Sequence, residues 1–367
     1  MSSTRPVATP PAGLVVKLSE TPRRVLFLRI PPIRIAMSKP LVSARHAISA
    51  GPGLLARAYF AVKPYVPRRI RLAVRRSRAR RIIKQCRDTW PINPDAGEMP
   101  QGWPGWPDSK DFALVITHDV ESPEGLEKLR SLAELEISHG FRSSFNFIPE
   151  GPYEDPVEIR EWLEARGFEV GVHDLNHDGH LYGSRQGFRD KARRINHYLD
   201  AWGAVGFRSG FMLRQLEWIH DLDVLYDAST FDTDPFEPQP DGSHTIFPFQ
   251  IRKPGGSGIG YTELPYTLPQ DSTLFLLLGE ETPEIWKQKL DWIASRGGLA
   301  LVNIHPDYVD FSGKRTPACY PSSLIRDFFD HLCNCHKGRY WNPLASDLAT
   351  WYRKEVAQSA DQANPAC

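Results

Sequence analysis

The chain has 367 residues, 41% of them hydrophobic and 24% charged, which excludes a wholly disordered, collagen-like or coiled-coil protein and leaves ample chain to bury a core without disulfides. The net charge of +1 hides an asymmetry: residues 1–88 carry 20 Lys/Arg against two acids, Glu20 and Asp88, and the remainder carries 25 basic against 42 acidic residues. A basic head on an acidic body suits a polyanion, an anionic membrane surface or the chain's own body as its counterpart.

Residues 1–50 are rich in Pro, Ser and Arg and read as loosely ordered. Their apolar runs are short and broken by Lys17, Arg23, Arg24 and Arg29, unlike a secretory signal. No stretch approaches the ~20 apolar residues of a membrane span, so a cytoplasmic location is expected, with the basic head able to touch the inner membrane face. A helix is predicted over Leu54 to Val62. Lys63-Pro64-Tyr65-Val66-Pro67 interrupts it, and a second helix follows over Arg68 to Arg87. There Ile70, Val74, Ile82 and Ile83 alternate with arginines. The first reading of that pattern is a solvated face or one packed on the acidic body, and the second is membrane-surface binding. Without aromatic interleaving or a known motif, no nucleic acid is expected. Trp90-Pro91 to Trp106-Pro107 reads as a linker that packs, because Trp90, Trp103 and Trp106 are costly to expose. Residues 1–109 are thus an extension and linker, 110–352 the body, and 353–367 a tail.

In the body, strand-like runs occur at Phe112–Ile116, Ser144–Ile148, Phe168–Val172, Val205–Arg208, Val224–Ala228, Leu274–Leu278 and Leu299–Ile304. Helical patterns lie between several of them, at Gly125–His139, Pro156–Arg166, Phe188–Trp202, Pro283–Arg296 and Ser322–Cys333. Repeated β-then-α units imply a mostly parallel sheet, closed into a barrel or doubly wound. Five cysteines, an odd number, do not suggest a disulfide framework. Cys333-Asn-Cys335 has no second pair at zinc-site spacing and reads as incidental thiols.

Polar residues follow the apolar runs: Thr117-His118-Asp119-Val120-Glu121, then His173-Asp174-Leu175-Asn176-His177, then Phe207-Arg208, then His305-Pro306-Asp307. In a parallel barrel all strand C-termini reach one face, where active sites form. His173 and His177, four apart, face the same way on a helical turn and can hold a divalent ion. Asp119 or Glu121 supplies the third ligand, and two His plus a carboxylate leave open positions for water and substrate. His180 reads as a loop residue. His118 points away from Asp119 by strand alternation. Asp174 orients an imidazole or caps the next turn. Glu263-Leu264-Pro265 ends another strand, with Glu263 a candidate to face the site.

Together these motifs resemble the polysaccharide deacetylase family, the NodB-homology or carbohydrate esterase family 4 domain, over roughly residues 110–352. Thr117 to Glu121 is similar to its first motif, His173 to His177 to its second, Phe207-Arg208-Ser209 to its third, and Leu301 to Pro306 to its fifth. The Tyr340-Trp341 to Trp351-Tyr352 segment and the Lys63–Arg76 head resemble an exopolysaccharide-associated subgroup. The resemblance implies a distorted (β/α)7 barrel carrying a basic, partly helical N-terminal extension. It implies metal-dependent removal of an acetyl group, usually N-acetyl, from a sugar. Glu121, His173 and His177 are then the metal ligands, with zinc first and Co, Ni, Mn or Fe as alternatives. Asp119 is the general base, His305 the acid, and Arg208 the cation that keeps Asp119 ionised. An acetylated sugar is the expected partner.

The sequence departs from the family pattern in three places. Val120 separates the paired acids, so the roles of Asp119 and Glu121 could be exchanged. Ser209-Gly210-Phe211 stands where the family has Pro and an aromatic. The fourth motif, whose acid tunes the histidine, has no assigned position, and the Tyr226 to Asp234 segment holds candidates for it. Two other readings stand beside the deacetylase: a cyclic amide or imide hydrolase on the same barrel, and a non-catalytic carbohydrate-binding or scaffold protein.

Overall fold

The first apolar run of the body becomes the axis of the sheet. In the computed structural model, which describes residues 68–256, 258–313 and 316–357, β1 (Phe112–Val120) is buried along all nine residues. Strand β2 (Ser144–Phe147) pairs with it in parallel, and β8 (Leu299–Ile304) pairs in parallel on the other edge. From β2 the sheet runs through β3 (Glu169–His173), β4 (Gly206–Arg208), β5 (Tyr226–Asp227) and β7 (Tyr261–Glu263), all parallel. Strand β6 (Phe249–Ile251) is antiparallel at the far edge. The sheet curls, and the N–H groups of Thr267 and Leu268 bond to Leu301 O, linking the β7 side to β8. Strand β9 (Val309–Asp310) pairs with β10 (Tyr320–Pro321), and β11 (Tyr340–Trp341) with the start of β1. Such strands read as unbroken apolar runs because both faces are covered.

The cover comes from helices on the connections. They are α1 (Arg68–Gln85), α2 (Pro123–His139), α3 (Val157–Glu164), α4 (Arg185–Trp202), α5 (Glu284–Arg296), α6 (Ser323–Cys335) and α7 (Ala345–Tyr352). Helix α2 starts where Ser122 accepts from Gly125 N and ends at left-handed Gly140, a Ser N-cap and Gly stop. The described residues all belong to one compact unit. Residues 1–50 and the helix expected over Leu54 to Val62 lie outside the described residues.

One expected strand is not a strand. Leu274–Leu278 belongs to a π-helical turn, Ser272–Leu278, capped by Asp271. A short apolar run bounded by turn residues fits a buried helix as well as a strand, and periodicity alone does not separate them. The linker does pack: Trp90 and Trp106 are buried, and Trp103 meets Trp106, Phe247 and Trp351 edge to face. On α1, Ala79 is buried while Arg78, Arg80, Arg81 and Lys84 are exposed, and Arg76 Nη2 donates to Leu276 O at 3.1 Å. Among the described residues no helix is long and apolar enough to cross a membrane.

Candidate active site

The C-terminal ends of the parallel strands bring Asp119, Glu121, His173, Arg208 and His305 together, as the rule for such barrels requires. Asp119, at the end of β1, is buried and held from three strands. Asn146 Nδ2 on β2 donates to Oδ1 at 2.9 Å, and Asn303 Nδ2 on β8 donates to Oδ2 at 2.8 Å. Arg208 Nη1 on β4 reaches the two oxygens at 3.3 and 3.5 Å. Burial pushes the carboxyl up. The charges of Arg208, His173 and His305 and the Asn146 amide overcome it and hold Asp119 well below the usual carboxylate range. Space for Asn146 is made by Gly171 on β3, where a Cβ would lie 2.2 Å from Asn146 Oδ1. His118 points the other way, as strand alternation requires. Its Nδ1 lies 3.0 Å from Ile304 O and its Nε2 2.7 Å from Glu136 Oε1 on α2.

His173, His177 and Glu121 form a second group beside Asp119, with ligand atoms all within 4.8 Å of one another. The reason is not the one the spacing suggested. His173 ends β3, and the residues up to His177 are not helical. The chain reverses through left-handed backbone at Asp174 (φ 58) and His177 (φ 53), conformations that cost a non-glycine residue about 1–3 kcal/mol each and persist only where the surroundings enforce them. Asp174 supplies part of the enforcement by accepting from Leu175 N at 2.7 Å and Gly210 N at 3.2 Å. It caps backbone and does not orient an imidazole.

The Nε2 atoms of both histidines are buried without a hydrogen-bond partner, 3.8 Å (His173) and 3.2 Å (His177) from Glu121 Oε1. Orphaned nitrogens of this kind are costly unless something binds them. Nδ1 of His173 lies 3.1 Å from Arg208 O, the outer hydrogen bond that a metal-binding imidazole ordinarily makes. Tyr308 OH donates to Glu121 Oε2 at 2.9 Å. Burial pushes Glu121 up, and the two imidazoles and His305 bring it well below its ordinary value. For His173 burial lowers the pKa, but Asp119 and Glu121 raise it further, for a net upward shift. Two imidazoles and one carboxylate oxygen, the nitrogens unsatisfied, are a donor set that fits a divalent transition metal.

His305, just past β8, faces the same space: Nε2 is 4.0 Å from Asp119 Oδ2 and 3.8 Å from Glu121 Oε1. Its other nitrogen, Nδ1, is 2.6 Å from Asp271 Oδ1, and Asp271 Oδ2 accepts from His305 N and from Tyr320 OH. Burial lowers the imidazole, and Asp271 with Glu121 and Asp119 pushes it up to about 10. Asp271 is therefore the acid that tunes the histidine, and the Tyr226 to Asp234 segment does not supply it. Asp227 lies in register beside Glu263, Asp232 pairs with Lys289 at 2.8 Å, and Asp234 accepts from Tyr266 OH. Glu263 is fully buried and accepts from Thr230 N. His180 is an exposed loop residue beside Asp178.

Sequence reasoning missed Asn146, Asn303, Asp271 and Tyr308. A signal existed for the asparagines: Asn303 is the lone polar residue of Leu299–Ile304, and Asn146 stands between two phenylalanines in Ser144–Phe147. Asp271 was hidden because the run after it looked like a strand.

A further His/His/carboxylate group joins exposed Asp291, half-buried His331 and buried His336. His331 and His336 place Nε2 at 2.8 and 2.7 Å from Asp291 Oδ1, between α5 and the end of α6. Arg339 Nη1 faces His336 Nδ1 at 3.4 Å. The cysteines beside it are free thiols; Cys335 is exposed.

No protein-family model matches the sequence, and no curated protein matches it. Solved structures do. A Mycobacterium smegmatis protein assigned as a polysaccharide deacetylase aligns with a TM-score of 0.50 at 19% identity, over 69% of this chain and 93% of that one. This chain has the fold of the polysaccharide deacetylases. The expected NodB-type barrel is thereby borne out. The catalytic domain of a peptidoglycan N-acetylglucosamine deacetylase from Eubacterium rectale aligns with a TM-score of 0.39 at 12% identity, over 66% of this chain and 92% of that one. A family 4 carbohydrate esterase pseudoenzyme from Bacillus anthracis gives 0.40 at 13%, over 65% of each. Likeness at such identities is a likeness of fold, and chemistry has to be argued from the side chains.

Proposed function

We propose that the protein is a metal-dependent hydrolase that removes an acetyl group, N-acetyl in the first instance, from a sugar intermediate of surface-polysaccharide synthesis, with residues 110–352 as the catalytic unit. The observation that carries this reading is the pair of buried, unsatisfied Nε2 atoms of His173 and His177 facing the Glu121 carboxylate. A divalent ion held by these three residues, zinc before Co, Ni, Mn or Fe, would supply Lewis-acid polarisation of the acetyl carbonyl and activation of water.

The chain's own residues do the rest. Asp119 stays ionised beside Arg208 and takes a proton at a carboxylate oxygen during attack. Asn146 and Asn303 hold that carboxylate in one orientation. Asp271 commits the Nδ1 proton of His305, so Nε2 is the atom left to hand a proton to the leaving nitrogen. The Asn303 side-chain oxygen, Oδ1, accepts from both Thr117 Oγ1 and Arg208 Nη1, which ties the base, the arginine and β8 into one unit.

The test is acetate release from a panel of N- and O-acetylated sugars by wild type and by Asp119→Asn and His305→Gln. Turnover in wild type and loss of about 10²–10⁴-fold in each variant is expected. Turnover unaffected by both variants would overturn the assignment of base and acid. Wild type inert on every sugar with metal bound would favour the non-catalytic reading, and turnover of a cyclic amide without metal would favour that hydrolase. A cytoplasmic site of action is part of this proposal. So is contact of the cationic α1 face with anionic membrane, which predicts salt-sensitive binding to phosphatidylglycerol vesicles and none to phosphatidylcholine vesicles.

A further inference from the structure

Two imidazoles converge on Glu121, and they are set in different ways. The His173 ring is fixed by its Nδ1 contact with Arg208 O. Nδ1 of His177, on a side chain that is 13% exposed, is bonded by no group among the described residues. What lies against the His177 ring is the side chain of Phe211, stacked with ring centroids 4.3 Å apart and planes 23° from parallel. Phe211 follows β4, two residues after Ser209, at the place where the chain departs from the Pro-aromatic pattern.

The loop that carries Phe211 is built to deliver it. Phe211 and Met212 are both left-handed, with φ of 57 and 52. Gly210 passes so close to the opposing loop that a Cβ would lie 2.5 Å from Asp174 Oδ2 and 2.7 Å from His177 Cδ2. The Gly210 N–H donates to Asp174 Oδ2 at 3.2 Å. The His177 loop and the Phe211 loop thus lock together through one hydrogen bond, one close glycine contact and one ring stack. Four left-handed non-glycine residues, Asp174, His177, Phe211 and Met212, sit in this clamp. Strained backbone concentrated at one place marks a position that function holds.

We propose that Phe211 is a positioning residue for the metal: its ring sets the His177 imidazole in the ligand orientation, replacing the outer hydrogen bond that sets His173. The proposal rests on the metal-site reading above. Stacking suits the task for an electronic reason as well as a steric one. An imidazole bound to a cation becomes electron-poor, and the π face of a phenyl ring attracts positive charge. The stack therefore favours the metal-bound form of His177 over the free form, which a simple packing contact would not do.

The test is Zn²⁺ affinity of the full chain, measured by competition with a chromophoric chelator, together with the visible absorption spectrum of the Co²⁺ form. Wild type, Phe211→Ala, Phe211→Leu and Phe211→Tyr are compared, with thermal melting to show that each is folded. Removing the outer support of a metal-binding imidazole typically costs 10–100-fold in affinity. Phe211→Ala and Phe211→Leu are expected to lose that much and to show an altered Co²⁺ spectrum. Phe211→Tyr, which keeps the ring, is expected to remain within about threefold of wild type on the same scale. Should Ala fail to fold, the Leu and Tyr pair carries the test. Wild-type affinity and spectrum in Phe211→Leu would overturn the proposal, since volume alone would then suffice. So would a Phe211→Ala that binds Zn²⁺ normally and changes only KM for a sugar, which would make the ring a substrate platform. A wild-type chain that binds neither ion fails earlier, at the metal-site reading itself.

Discussion

Two places among the described residues bring two histidines and one carboxylate together, and they differ in how the imidazole nitrogens are met. At the strand ends, His173 and His177 have buried Nε2 atoms with no hydrogen-bond partner, next to Asp119, Arg208 and the Asp271–His305 pair. Between α5 and α6, the Nε2 atoms of His331 and His336 are satisfied by Asp291, whose side chain is 53% exposed. Arg339 has only donors to offer, and its Nη1 faces Nδ1 of His336 at 3.4 Å, which suits the tautomer that carries its proton on Nε2 toward Asp291. Residue type and convergence are common to both groups. What separates them is whether the Nε2 atoms are left unsatisfied and, in the one ring of each group whose Nδ1 has a partner, whether that partner is an acceptor (Arg208 O for His173) or a donor (Arg339 for His336). The inner group is poised for a cation. The outer one is a hydrogen-bonded clip between two helices.

The sharpest break of this comparison is substitution of one histidine from each group. His173→Ala is expected to abolish acetate release, while His331→Ala leaves it within about twofold, since the clip packs on Phe112, at the opposite end of β1 from Asp119. Equal losses in the two variants would erase the distinction. Next in size is Asp271→Asn, which keeps the shape around His305 but removes the charge that holds its proton. A fall in kcat of about 10²-fold or more, with KM little changed, is expected from steady-state kinetics; an unchanged kcat would remove Asp271 from the account.

His173 and Asp271 differ in how far the sequence reveals them. The strands Phe112–Val120 and Leu299–Ile304 and the helices between strands were legible because their apolar runs and periodic faces are long. Asp119, Glu121, His173, Arg208 and His305 were legible because each sits at the end of such a run. Asp271 was not, because the apolar run after it has the length of a strand and folds as a π-helical turn. The His173–His177 pairing was legible but its cause was not. A left-handed reversal at Asp174 and His177 leaves no periodic trace, and only tertiary contacts such as that of Asp174 with Gly210 N enforce it. Asn146 and Asn303 face the barrel interior from within apolar runs, where the eye follows the hydrophobic residues.

A smaller effect tests the electrostatics of the inner group. Arg208 is among the charges that keep the Asp119 carboxyl low despite its burial. Arg208→Met removes that charge, so the Asp119 pKa rises, and the acid limb of the kcat/KM profile is expected to move to higher pH by about 1–3 pH units. A limb that stays in place would mean that Asp119 is not the group it reports. The smallest effect belongs to the outer group. Burial raises Asp291, but His331 and His336 outweigh it and leave its pKa lowered. A lowered carboxyl stabilises the fold above its unfolded pKa, and that contribution is lost as pH falls through the folded value. With the side chain so exposed, Asp291→Asn is expected to cost less than about 1 kcal/mol by urea denaturation at pH 7, and nothing at a pH well below the carboxylate range. A cost of several kcal/mol would make the outer group more than a clip.

The most direct test of the central claim is metal content by elemental analysis of the full chain purified without chelator. Wild type, His173→Ala/His177→Ala and His331→Ala/His336→Ala are measured side by side, then again after incubation with Zn²⁺ and removal of the excess. Metal affinity should rise with pH, because His173 holds its proton tightly and must lose it to bind, so the incubation is run at pH 8. One equivalent of transition metal in wild type and in the outer double variant, with none in the inner double variant, is the predicted result. Metal that survives loss of His173 and His177, or an inner site that stays empty in wild type when Zn²⁺ is offered, would contradict the account.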